Sequence, residues 1–263
     1  MCGGGGGSAG EDRPSFPAQE MNIRVVIEYD GAGFAGWQQQ ARGRTVEAEL
    51  KRALRELSGK DHIVYGAGRT DAGAHAEGQV ANFQFEGKIP PDRLTAALNA
   101  TLPEDMAVLG AEQVVDGFHS RYSARWRRYR YRYLDRAARP ALQRDRCWHV
   151  RGKLDVKAMA RAAEALRGRH DWTTFCSASE PARARVREMR SATVWRRGEF
   201  VELELVAEGF LRGLARSIAG ALAEVGRGRR PAGWVGEVLR ARDRRLAPKT
   251  APAGGLTLME VIY

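Results

Sequence analysis

The chain has 263 residues, enough for one large or two ordinary domains with a core that needs no staples. Its formal charge of +11 favours a polyanionic partner, because each phosphate neutralised by Lys or Arg releases condensed counterions. Three widely spaced cysteines, Cys2, Cys147 and Cys176, argue against a disulfide framework or a structural metal, and no apolar run approaches the ~18 residues of a membrane span. A reducing cytoplasm is therefore the expected setting. The charge alone does not decide for nucleic acid, since Lys stands only at positions 51, 60, 88, 153, 157 and 249 and a GC-rich genome also writes Arg freely.

Residues 1–20, with their Gly3 to Gly7 run and two prolines, carry no apolar periodicity and read as a disordered tail. From Asn22 to Tyr29 the residues Ile23, Val25, Ile27 and Tyr29 fall on one side at period two, which predicts a half-buried strand. A Gly-rich loop, Gly31 to Gly36, follows it. Thr45 is then placed to cap a helix whose inward stripe is Val46, Leu50, Ala53, Leu54 and Leu57. Strands are expected near His62 to Ala67 and Gln79 to Phe85, separated by the loop Gly68 to Gly78. Pro90-Pro91 opens a short helix ending near Ala100, and Met106 to Val115 is extended.

The second half repeats this order. A strand Ala124 to Leu134 leads to a helix, Asp155 to Leu166, and then to strands Val186 to Trp195 and Phe200 to Ala207, joined at Arg197-Gly198. A helix from Phe210 to Val225, another opened by Pro231, and a final strand Leu256 to Tyr263 complete the chain. Each half reads β-α-β-β-α-β. The expected fold is α+β: two split-βαβ, ferredoxin-like halves, 21–120 and 121–263, sharing a continuous, mostly antiparallel sheet flanked by helices, with a basic cleft between them.

Three segments are rich in chemistry. Gly68-Arg69-Thr70-Asp71-Ala72-Gly73 lies between two apolar strands, and its small residues let backbone approach a ligand closely. Thr-Asp-Ala-Gly is equally ordinary turn chemistry. In Arg128-Tyr129-Arg130-Tyr131-Arg132-Tyr133 strand alternation puts the tyrosines on one face and the arginines on the other. That pattern suits base stacking with phosphate binding, and it suits a core strand with solvated arginines as well. Arg212 and Arg216 stand one turn apart in an otherwise apolar helix, where a buried Arg demands an acidic partner and a surface Arg does not.

These segments occur together with Glu28-Tyr29-Asp30-Gly31, Gly36-Trp37-Gln38, Phe118-His119-Ser120-Arg121-Tyr122-Ser123-Ala124 and Arg216-Ser217-Ile218-Ala219-Gly220. In that order and at those distances the chain resembles the TruA family of tRNA pseudouridine synthases over nearly all of Met21 to Tyr263. The stretch Arg212-Gly213-Leu214-Ala215 departs from the more His- and Met-rich pattern expected there. The resemblance implies Asp71 as the catalytic carboxylate, Arg216 as its pairing arginine, Tyr129 as the residue contacting the target base, and Arg69 as an aid in displacing or holding the flipped nucleotide. It also implies tRNA as substrate, a homodimer, and modification at positions 38 to 40 of the anticodon arm. Arg121, Arg128 and Arg130 are candidate RNA contacts. The isomerisation involves no net oxidation, so no cofactor and no metal are expected. A non-catalytic RNA-binding protein would share the charge and the Tyr/Arg strand without requiring Asp71; a metal-dependent nuclease would need clustered carboxylates, and none accompany Asp71 locally.

Overall fold

The computed structural model describes residues 20–87, 89–182 and 185–263, so the segment read as a disordered tail lies outside the described residues except for Glu20. The first half runs β1 (Glu20–Tyr29), α1 (Val46–Ser58), β2 (Tyr65–Gly66), β3 (His75–Glu86), α2 (Pro91–Thr101) and β4 (Met106–Gln113). The second runs β5 (Trp126–Leu134), β6 (Trp148–His149), α3 (Val156–Glu164), β7 (Gly168–Asp171), β8 (Val186–Arg197), β9 (Phe200–Ala207), α4 (Leu214–Gly226), α5 (Trp234–Ala241) and β10 (Leu256–Ile262).

All strands join one sheet in the order β4-β1-β3-β10-β5-β9-β8-β7, with β2 on β3 and β6 on β5. Every pairing is antiparallel except β10 with β3 and β5 with β6. The first half is ordered β4-β1-β3-β2 and the second β10-β5-β9-β8. In each, the fourth strand lies beside the first and the third beside the second, which is the split-βαβ arrangement expected from the sequence. Strands β6 and β7 are additions that the sequence did not signal, being only two and four residues long.

The apolar pattern explains which face is covered. Ile23, Val25, Ile27 and Tyr29 are all buried, as period two requires. Thr45 accepts a bond from the Ala48 amide, and Gly59 closes α1 in the left-handed region that a Cβ disfavours. Tyr129, Tyr131 and Tyr133 are buried on the helix-covered face, where Tyr133 donates to the Ala219 carbonyl of α4 at 2.8 Å. The free thiols of Cys147 and Cys176 are buried, and burial pushes both up. No helix among the described residues is long and apolar enough to cross a membrane.

Three boundaries differ from expectation, each for a local reason. The strand expected over His62 to Ala67 shrinks to Tyr65–Gly66, because only Tyr65 and Gly66 find partners, in Asn82 and Ala81. Strand β3 begins at His75, four residues early, because β10 and β1 both pair with its first residues. Helix α4 begins at Leu214, since Gly213 at φ +76° cannot belong to a right-handed helix. The shortness of β2 leaves the first end of β3 open, and β10 fills it through Thr257 beside His75 and Leu258 beside Ala76. The loop carrying Asp71 therefore leaves β2 and enters β3 where the two halves meet.

Asp135, at the end of β5, is buried and takes two bonds of 2.7 Å from Arg196 of β8 and one of 2.9 Å from the Leu154 amide. Burial alone would raise its carboxyl, but the Arg196 and Leu154 bonds outweigh it and hold the group below its ordinary value of 3.8. A depressed carboxyl stabilises the fold above that ordinary value and loses its contribution as pH falls through the lower folded one. Asp135→Asn is expected to cost about 2 kcal/mol at pH 7, a figure kept low because Arg196 is about a third exposed. Denaturant titrations of both proteins should show that difference shrinking below pH 4.

Candidate active site

The Asp71 loop is held from beneath by the segment that follows β1. The Trp37 amide donates to the Thr70 carbonyl at 3.1 Å, the Gly73 amide to Phe34 at 3.2 Å, and the Tyr29 hydroxyl meets the Thr70 hydroxyl at 2.8 Å. The Ala74 amide closes a turn onto the Asp71 carbonyl at 3.1 Å. Two glycines make this contact possible. A Cβ on Gly31 would lie 1.9 Å from the Ala74 carbonyl oxygen, and one on Gly36, at φ +106°, would lie 2.9 Å from that of Thr70. The motifs around Gly31 and Trp37 thus act as a bed for the loop. At its exit, the Gly31 amide donates to His75 Nδ1 at 3.0 Å, which leaves Nε2 to donate to the Asp145 carbonyl at 2.8 Å.

Arg216 reaches the loop from the other half. Its Nη1 donates to Asp71 Oδ2 at 2.8 Å, with each side chain about a quarter exposed. Its aim is set by the segment leading into β10: Nε donates to the Ala251 carbonyl at 2.9 Å while the Ala251 amide donates back to the Arg216 carbonyl at 3.1 Å. Gly220 permits that approach, because a Cβ there would lie 1.9 Å from the Lys249 carbonyl oxygen. One nitrogen of the guanidinium is thereby fixed and another is left for the carboxylate.

Tyr129 lies under the same loop. A Cβ placed on Gly68 would be 3.7 Å from its hydroxyl, and its ring packs edge-on against Phe210 at 4.6 Å. Burial pushes its phenol well above the usual range, and the nearby Tyr29 and Asp71 add to that while Arg127 opposes it. Tyr131 and Tyr133 spend their hydroxyls on the Pro252 and Ala219 carbonyls. The Tyr129 hydroxyl bonds no protein group among the described residues, so it is the tyrosine of this strand with a polar atom left for a ligand.

Arg127 was not singled out from the sequence, yet it ties the site together. Buried on the tyrosine face, it donates to the carbonyls of Ala67 at 3.0 Å, Arg121 at 2.6 Å, Ala124 at 3.2 Å and Glu208 at 2.6 Å. Burial depresses its guanidinium from the ordinary value. The signal for it was present, since Arg127 falls in phase with Tyr129, Tyr131 and Tyr133.

The expected arginines divide into two groups. Arg128 bonds Glu260 at 2.5 Å and lies 3.8 Å from Glu204, while Arg130 lies 3.8 Å and Arg132 3.3 Å from Glu202. Their charge is largely matched on the sheet face opposite the tyrosines. Arg69 and Arg121 are exposed, and neither has a carboxylate within ion-pair distance among the described residues. A depression on that opposite face is lined by residues including Asp30, His75, Arg130 and Arg146 but by neither Asp71 nor Tyr129. Asp71, Arg216 and Tyr129 instead meet at the open seam. Among the described residues no group of His, Cys, Asp and Glu is arranged to hold a metal ion.

A family model described as tRNA pseudouridine synthase matches residues 25–123 and 162–263, well over half of the chain. The tRNA pseudouridine synthase A of Acetivibrio thermocellus is 41% identical over 242 residues, covering 92% of this chain and 99% of that one. Its counterpart in Moorella thermoacetica is 42% identical over 243 residues with the same coverage, and that of Myxococcus xanthus is 43% identical over 242 residues, 92% of this chain and 91% of its own.

The bed beneath the loop can be tested without reference to turnover. In Gly31→Ala the new methyl meets backbone that cannot swing away, so a cost of about 1–3 kcal/mol and a fall in Tm of roughly 2–12 °C are expected. Hydrogen exchange at Gly73 and Ala74 should accelerate in the same variant. Gly33→Ala, whose Cβ would find its nearest atom at an ordinary 3.4 Å, should change neither measurement.

Proposed function

The chain belongs to the tRNA pseudouridine synthase family, and on that premise we propose that it isomerises uridine to pseudouridine in the anticodon stem-loop of tRNA, at positions 38 to 40, with Asp71 as the catalytic carboxylate. The observation that carries this reading is the 2.8 Å bond from Arg216 to Asp71, made across the seam between the halves and beside a tyrosine whose hydroxyl is left unbonded.

The reaction breaks the bond from uracil N1 to ribose C1′, turns the base, and forms a bond from C5 to C1′. The proton on C5 leaves and N1 gains one, so the atoms balance without oxidant or reductant. Asp71 serves this either as a nucleophile or as a base that opens a glycal route. Arg216 uses one nitrogen to hold the carboxylate and is itself held by Ala251, which fixes the direction in which the free carboxylate oxygen points. A stacked uridine offers neither C1′ nor C5, so the nucleotide is extruded first, at a cost of a few kcal/mol. Arg69, exposed two residues before Asp71, is positioned to occupy or brace the vacated place. Tyr129 receives the extruded base from beneath. Burial keeps its phenol protonated, so it offers the base a hydrogen-bond donor.

The formal charge of +11 suits a phosphate backbone, and the exposed Arg69 and Arg121 suit contacts to it better than the matched Arg128 and Arg130. The same reading includes a homodimer, with one tRNA lying across both subunits, and a cytoplasmic setting. A purely RNA-binding protein on this fold would need the charge but not the Arg216 to Asp71 pair.

Unmodified tRNA transcript incubated with the purified chain, without added metal or cofactor, should acquire pseudouridine in the anticodon arm. Asp71→Asn should bind the transcript and lose turnover by at least about a thousandfold, equivalent to ~4 kcal/mol of barrier. Product formed by that variant at the wild-type rate would sink the assignment. Arg216→Gln should slow single turnover by about 10–100-fold with little change in tRNA affinity.

A further inference from the structure

Three rings touch in a row, each tilted to the next, at the junction of the two halves. Tyr65 of β2 lies 4.7 Å, centre to centre, from His119, and His119 lies 4.5 Å from Tyr122 in the connection between β4 and β5. The Arg121 guanidinium sits 5.7 Å from the centre of the Tyr122 ring. Tyr122 is 77% exposed and Tyr65 42% exposed, so neither ring is spent on the core.

The chain holds these rings out on a rigid frame. The Ser123 amide donates to the His119 carbonyl at 2.9 Å, and the Arg121 amide donates to His119 Nδ1 at 3.1 Å, which leaves the ring proton on Nε2. The Ser120 amide donates to the buried Asn82 side chain at 2.9 Å, the Tyr263 hydroxyl donates to the Ser120 carbonyl at 2.9 Å, and the Ser120 hydroxyl bonds the Tyr65 carbonyl. Arg127 then fastens the frame to the catalytic loop, because a single nitrogen, Nη2, bonds both the Arg121 and the Ala67 carbonyls. A surface ring needs no such bracing for stability, since its exposed face contributes nothing to burial. A ring carried on braced backbone beside that loop has less conformational entropy to lose on binding, which favours a flat ligand.

We propose that Tyr122, backed by His119 and Tyr65 and flanked by Arg121, is a stacking platform for one unpaired nucleobase of the tRNA, a nucleotide other than the reacting uridine. The proposal rests on the tRNA substrate assigned above and adds a second, separate contact to it. Aromatic faces stack any base, and the adjoining exposed guanidinium groups of Arg121 and Arg125 complement the phosphates on either side of it. The platform lets the enzyme grip a looped strand next to a helical one, and so distinguishes an anticodon arm from plain duplex.

The test uses the full chain and anticodon-arm RNAs carrying 2-aminopurine singly at each unpaired position, with wild type, Tyr122→Ala and Tyr122→Phe. Wild type should quench the fluorescence strongly at one position. Tyr122→Ala should abolish that quenching, weaken arm binding about tenfold (~1.4 kcal/mol), and raise KM while the single-turnover rate at saturating tRNA stays within twofold. Tyr122→Phe should restore both quenching and affinity. Binding to a blunt RNA duplex should be the same for all three proteins. The platform is rejected if Tyr122→Ala binds the arm as wild type does, if Tyr122→Phe fails alongside it, if duplex binding falls equally, or if the substitution changes the mass of the protein in solution, which would mark the patch as a protein contact. Absence of pseudouridine from the wild-type reaction would instead overturn the proposed function, because quenching and affinity are read without turnover.

Discussion

The parallel docking of β10 on β3, a seam two residue pairs long, is the contact on which the arrangement of the site depends. Asp71 belongs to the first half and Arg216 to the second, and their 2.8 Å bond exists only because β10 docks in parallel on the opening residues of β3. Gly78 permits the docking, since a Cβ there would lie 2.5 Å from the Met259 carbonyl oxygen. Each partner is separately braced on its own side, Asp71 by the Gly31 to Trp37 bed and Arg216 by Ala251. Neither brace depends on the pair. The pair is therefore a consequence of two rigid supports meeting, and a functional carboxylate kept in place this way needs no contribution from its substrate to be aimed.

Charge is distributed unevenly between the two faces of the sheet. On the face opposite the tyrosines Arg128, Arg130 and Arg132 meet Glu202, Glu204 and Glu260 from neighbouring strands, although the buried Nε atoms of Arg128 and Arg130 make no hydrogen bond among the described residues. Cross-strand opposite charges suit sheet register and leave little net field for a distant polyanion. At the seam the balance reverses, because Arg69, Arg121 and Arg125 are exposed and Arg127 is buried against carbonyl oxygens alone. Exposed guanidinium groups with no carboxylate at ion-pair distance among the described residues thus include some at the seam, Arg69 of the Asp71 loop among them.

Much of this was legible in the sequence because local signals and tertiary demands agree. The period-two run of β1, the Thr45 cap, the Gly198 turn and the tyrosine alternation of β5 each specify an element without reference to the rest. Asp71, Arg216 and Tyr129 do come together, but spacing could not have said so: they lie on a loop, a helix and a strand whose meeting depends on which strand fills the open end of β3. The same dependence hid the pairing of Arg128 and Arg130. Glu202 and Glu204 alternate visibly, yet only the register of β5 against β9 sets them opposite those arginines. Arg127 was overlooked for a different reason, as an Arg in phase with core tyrosines reads as an exception until the carbonyls that surround it are known.

The tyrosine beneath the loop narrows the division of labour. Burial raises the Tyr129 phenol far enough that its phenolate is not populated near neutrality, and an arriving base would exclude still more water and reinforce that effect. A phenol held in this form donates a hydrogen bond and presents a flat face, but it does not abstract a proton. In the proposed reaction, removal of the C5 proton is then assigned to another group or to water admitted after the base has turned. In the proposed reaction Asp71, held at the seam by Arg216, is the carboxylate available for that step, which extends its proposed role from bond cleavage to closure.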